Sequence, residues 1–81
     1  MNEKQILEKL NMIFREVFDD DSIVVSRSTT AEDIEDWDSL EHITLVGAVE
    51  SEFHIRFKMH EVSTMKNVGE MADIIAKRMK R

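Results

Sequence analysis

The 81-residue chain has no cysteine and no proline. Without cysteine it can build neither a disulfide framework nor a cysteine-ligated metal site. Three histidines remain, His42, His54 and His60, but they do not cluster as ligands, so no metal site is expected. Long apolar runs are missing too. Charges interrupt the N-terminal stretch "MNEKQILEKLNMIF" throughout, so it does not read as a secretory leader, and nothing approaches the roughly 20 apolar residues of a membrane-crossing helix. The expected setting is the cytoplasm, away from membranes. The chain also lacks internal repeats and low-complexity stretches.

Basic residues are scarce through the middle. From Asp19 to Glu52 there are eleven acids against one base, Arg27, and the net charge is −6. An acidic centre argues against nucleic acid as a partner, since phosphates need basic groups. It favours partner proteins with basic docking surfaces, where complementary fields steer encounters. The same acids also serve simply to keep a small domain soluble. An apolar fraction of 42% beside 35% charged residues suits a folded domain rather than a disordered tail. At this length one domain, residues 1–81, is expected.

Helical spacing dominates what is present. Asn2 and Gln5 form a capping-box pair, followed by Ile6, Leu7, Leu10, Ile13, Phe14, Val17 and Phe18 at helical intervals. "DDDS" at Asp19 to Ser22 ends the pattern, and a long polar connection runs to Trp37. Its apolar patch, Ile23 to Val25, is expected to be a loop pinned to the core by Ile23 or Val25 rather than a strand. Asp38 caps a second helix that reaches about His54, with Glu41 at the third position as in a capping box. A short turn is expected over His60 to Met65. Asn67 and Glu70 open a last helix whose apolar face is Val68, Met71, Ala72, Ile75 and Met79. Its basic end holds Lys77, Arg78, Lys80 and Arg81. The fold class expected is all-α: a small four-helix bundle of three main helices and one short one, with a long loop between the first two.

The second helix carries apolar residues on two sides. Leu45, Val46, Val49 and Phe53 make the natural core face. Leu40, Ile43 and the small Gly47 lie nearly opposite, flanked by Glu41 and Glu50, and would look outward as a docking stripe. Gly47 costs a helix about 1 kcal/mol relative to alanine, which hints at a close approach there. Ser39 would be the first residue inside this helix, beside free N–H groups and the positive end of the helix dipole, where an attached phosphate is favoured. A serine hydrolase would need a base, a group to orient it and an oxyanion hole. Only His42 is near, and no "GxSxG" elbow is present, so no catalytic residue is assigned. A calcium loop at "DDDSIVVSRSTT" fails, because Val24 replaces the turn glycine and Thr30 the final glutamate.

"DSLEHITLVGAVESEF", from Asp38 to Phe53, resembles the "DSL" motif and recognition helix of acyl carrier proteins, and "NVGEMADII", from Asn67 to Ile75, resembles their capped last helix. Length, acidity and the helix–long loop–helix layout agree, so the resemblance covers nearly the whole chain. It implies that Ser39 carries a covalent 4′-phosphopantetheine arm, installed by a separate phosphopantetheinyl transferase, with Asp38 and Leu40 as the flanking motif. The arm would hold acyl groups as thioesters and present them to acyl-loading and acyl-processing enzymes of fatty-acid, polyketide or related specialised biosynthesis. The chain itself would be a monomer and not an enzyme. Leu40, Glu41, Ile43, Gly47 and Glu50 fall on the helix that partners grip. A hydrophobic cargo would have Val46, Val49, Phe53, Val62, Met65 and Met71 as candidate lining residues, each of which also reads as ordinary core. Trp37, where the family commonly has a small residue, points toward a specialised pathway, as do Thr44 and Ser51 at positions often acidic in the housekeeping type. Two alternatives stay open: an aminoacyl, D-alanyl or peptidyl carrier using the same serine, and a helical interaction module unmodified at Ser39.

Overall fold

A computed structural model describes residues 2–79. Four helices follow one another: α1 (Glu3–Val17), α2 (Ser39–Phe53), α3 (Met59–Thr64) and α4 (Val68–Met79). No strand occurs among the described residues.

The start of α1 is fixed by both arms of the capping box. Asn2 Oδ1 accepts the Gln5 N–H at 2.9 Å, and Gln5 Oε1 accepts the Asn2 N–H at 3.0 Å. The helix buries Ile6, Leu10, Ile13 and Phe14. It stops where Phe18 caps it and Asp19 takes a left-handed φ of 51°, which turns the acidic "DDDS" outward.

The loop between α1 and α2 touches the core at chosen points. Val25 is buried, Ile23 half-buried and Val24 exposed, as the alternating apolar patch suggested. It forms no strand because α1 side chains take the place of a neighbouring strand. Asn11 Oδ1 accepts the Val25 N–H at 2.7 Å, and Arg15 Nε donates to the Ile23 carbonyl at 2.7 Å. Further on, Arg27 donates to Glu3 of α1 at 2.6 Å and through both Nη atoms to Asp73 of α4 at 2.9 Å. The loop ends on Trp37, buried with its ring edge-on to Phe14 at 5.1 Å and 6.4 Å from Phe18.

The core lies where α1 packs against α2 and α4. Leu45, Val49 and Phe53 come from α2, and Val68, Met71, Ala72 and Ile75 from α4. Leu10, Phe14, Leu45, Val49 and Ile75 are completely enclosed; enclosing side chains of this kind contributes about 1.5–3 kcal/mol each. His54 closes α2 in the left-handed region, φ 57° and ψ 46°.

At the head of α4, Asn67 Oδ1 accepts the Glu70 N–H at 2.8 Å, as expected of the cap. The return arm differs: Glu70 reaches the N–H of Lys66, at 3.0 Å, rather than that of Asn67. Val68 N–H meets the Thr29 carbonyl and Gly69 N–H the Arg27 carbonyl, both at 2.9 Å. Lys77 and Arg78 stand in the last turn of α4. Lys80 and Arg81, the rest of the expected basic end, lie outside the described residues.

The short helix α3 begins one residue earlier than the sequence suggested and buries no side chain. Partly buried Val62, Phe57 and Met65 back it, and polar ties fasten it. Arg78 of α4 pairs with Glu61 at 2.7 Å and donates to the Arg56 carbonyl at 3.2 Å. Arg78 and Glu61 are both largely covered.

Candidate functional site

Asp38 builds the start of α2. Its carboxylate accepts the Glu41 N–H and its carbonyl the His42 N–H, both at 2.8 Å. Only this half of the expected capping box forms: the Glu41 side chain makes no return bond to the Asp38 N–H, which donates to the Asp36 carbonyl at 3.0 Å. Among the described residues, the N–H groups of Ser39 and Leu40 have no acceptor. Ser39 is the first helical residue and is exposed. Its hydroxyl therefore stands in solvent at the positive end of a 15-residue helix.

Beside Ser39 opens a cleft of about 600 Å³ between the first turns of α2 and the α3–α4 region. Ser39, His42, Ile43, Val62, Met65 and Met71 are among its walls. Of the six residues read as candidate lining for a cargo, the structure thus brings three, Val62, Met65 and Met71, to the cleft. The other three, Val46, Val49 and Phe53, do not line it. Val49 and Phe53 point into the core shared with α1 and α4, and Val46 is buried outside that cluster. They lie 7, 10 and 14 residues beyond Ser39, roughly 10–21 Å further along the axis at 1.5 Å per residue, past the first turns of α2 that border the cleft.

The outward stripe is present. Leu40 and Ile43 are 72% and 67% exposed, and a β-carbon on Gly47 would meet nothing within 4 Å. Glu41 is half-buried. Glu50 is half-buried too, and its carboxylate accepts the Phe57 N–H at 2.8 Å, so it also fastens the chain leaving α2.

His42 has a part that sequence reasoning did not find. Its Nδ1 accepts the Trp37 indole N–H at 3.0 Å, and its Nε2 lies 3.0 Å from the Val62 carbonyl oxygen. An indole only donates and a carbonyl only accepts, so the ring is neutral with its proton on Nε2. Both nitrogens are engaged, and neither is available to take a proton from Ser39. The signal was in the spacing: Trp37 precedes the cap and His42 is the fourth helical residue, the pair that a hydrophobic staple joins.

No family model matches the chain. The acyl carrier protein of Thermosynechococcus vestitus is 34% identical to it over 76 residues, 93% of each chain. The chain belongs to the acyl carrier protein family. The solution structure of the holo acyl carrier protein of Geobacter metallireducens superposes with a TM-score of 0.85 at 48% identity, over 90% of this chain and 84% of that one. Four helices without a strand match that carrier's fold. A carrier of this family is not an enzyme: it carries acyl groups for biosynthetic enzymes, and its holo form bears 4′-phosphopantetheine. No described helix of this carrier is long and apolar enough to cross a membrane.

Proposed function

We propose that residues 1–81 act as one carrier domain, that Ser39 is the attachment point for 4′-phosphopantetheine, and that acyl intermediates of fatty-acid, polyketide or related specialised biosynthesis are presented from it. The observation that carries this is the exposed Ser39 hydroxyl at the capped head of α2, within the "DSL" motif. The residues present fit the group. A phosphodiester on Ser39 would face the unpartnered N–H groups of Ser39 and Leu40 and the helix dipole. The adjoining cleft has room for an apolar chain against Val62, Met65 and Met71. When bound, the group supplies a thiol that holds carboxylic acids as thioesters.

The protein's own residues hold and present. Asp38 fixes the helix start and so the direction of the Ser39 hydroxyl. Leu40, Ile43 and Gly47 offer an apolar strip to a partner, and Glu41, with the remaining face of Glu50, supplies negative charge at its edge. Such a strip suits partners with basic surfaces, among them the phosphopantetheinyl transferase, through weak, charge-steered contacts that exchange rapidly. A tethered cargo also gains effective concentration at each docked enzyme. The carrier works as a monomer in the cytoplasm.

The test is co-expression with a broad-specificity phosphopantetheinyl transferase, followed by intact mass measurement. The wild-type chain gains one phosphopantetheinyl unit and Ser39→Ala gains none. An unchanged wild-type mass, or equal labelling of the variant, overturns the assignment.

A further inference from the structure

Among the four helices α3 alone buries no side chain. Only partly buried apolar groups back it, Val62 within the helix and Phe57 and Met65 beside it, and polar ties fasten it at its two sides. On the α4 side, Arg78 grips both Glu61 and the Arg56 carbonyl. On the α2 side the tie is His42 Nε2 to the Val62 carbonyl. Val62 lies in the last turn of α3, where carbonyls have no acceptor role left inside the helix. His42 supplies one of these carbonyls with a donor. The ring is itself held by Trp37, whose indole is locked into the core against Phe14. A continuous strut thus runs from core to Trp37 to His42 to α3, and its three residues line the cleft that opens beside Ser39.

We propose that His42 is a positioning residue of the carrier: its neutral ring latches α3 and sets the width of the cleft beside Ser39. Arg78 and Glu61 form the hinge that remains when the latch is released. A chain attached at Ser39 reaches Met65 and Met71 only as far as the latched α3 allows. The latch stands on the two hydrogen bonds alone; its effect on cargo rests on Ser39 being the attachment site.

Amide hydrogen exchange on the unmodified full-length chain tests the latch. The Glu61 and Val62 N–H groups, which donate to the Lys58 carbonyl, report on α3. In His42→Ala they exchange about tenfold faster, the equilibrium equivalent of one hydrogen bond, while core amides of α1 and α4 keep their wild-type rates. His42→Gln, whose amide offers an acceptor and a donor, restores slow exchange. Long-range nitrogen–proton spectra of the wild type show His42 protonated on Nε2, and a ring protonated on Nδ1 alone overturns the latch. Equal α3 exchange in wild type and His42→Ala, or no recovery with His42→Gln, overturns the latch.

The cargo effect is read by loading Ser39 with octanoyl-phosphopantetheine. The Met65 and Met71 methyl resonances shift further in His42→Ala than in wild type, and equal shifts overturn it. Failure of the wild type to load at all would strike the Ser39 assignment and the cargo effect, while the exchange results would still decide the latch.

Discussion

The Arg27 carbonyl accepts the Gly69 N–H at 2.9 Å, and a β-carbon on residue 69 would stand 2.9 Å from that same oxygen. The obstacle is backbone, and Glu3 and Asp73 hold Arg27 in place, so it gives way only at a cost. Gly69→Ala is expected to lower stability by up to about 2 kcal/mol, since overpacking of roughly 1–3 kcal/mol is offset by a helix-propensity gain of about 1. Urea denaturation decides it, and a stabilised variant would show that the loop yields freely.

Gly47 is the opposite case. It lies mid-helix with open space where a side chain would be. Gly47→Ala should stabilise the chain by about 1 kcal/mol, raising Tm by roughly 4–8 °C for a domain of this size. A calorimetric scan showing no rise would mean that the glycine meets a constraint within the free protein.

The proposed docking role of the exposed stripe makes a kinetic prediction. Glu41→Lys reverses a charge at the edge of the exposed Leu40 and Ile43 and should slow transfer from a partner enzyme by roughly tenfold at low ionic strength. Added salt should narrow the difference. Ile43→Ala should weaken transfer with little salt dependence. Circular dichroism of both variants is expected to match the wild type. Unchanged kinetics for both at low salt would remove this face from consideration.

Glu61 ties stability to pH. Its carboxyl is held down from 4.5 to about 2, first by the hydrogen bond from Arg78 and then by the Lys58 N–H. A carboxyl lowered in the folded state stabilises the fold above its unfolded pKa. That contribution fades as pH falls from about 4.5 toward about 2. Asp73, beside Arg27, is shifted in the same direction. Glu61→Gln should therefore be less stable than wild type near neutrality, and the gap should close through this acid window. Thermal unfolding across the window tests it; a constant gap would show that Glu61 is not the group responsible.

What could be read from the sequence follows the range of the forces involved. Helix starts at Asn2, Asp38 and Asn67 are local, because a cap and the N–H it serves lie within three residues. The place of Ser39 follows from Asp38 for the same reason. The core faces of α1, α2 and α4 follow from helical spacing. The cleft was harder, since it depends on where α3 is set, and α3 is set by Arg78 and His42 from elsewhere in the chain. Val46, Val49 and Phe53, named with Val62, Met65 and Met71 as lining for a cargo, do not border this cleft. Trp37 was read as a mark of a specialised pathway, and the structure also uses it as core and as the support of His42. Glu41 and Glu70 had the spacing of capping-box partners, but spacing does not reveal that the Asp38 N–H is already taken by Asp36 or that Lys66 competes for Glu70.

The carbonyls of Thr29 and Arg27 serve the leading amides of α4 across some forty positions of chain. Left alone, α4 would leave those leading N–H groups to water, so the head of the final helix is sealed only when the connection lies across it. A break cut into that connection would therefore be felt at the far end of the molecule, where the head of the last helix would lose its two carbonyl partners.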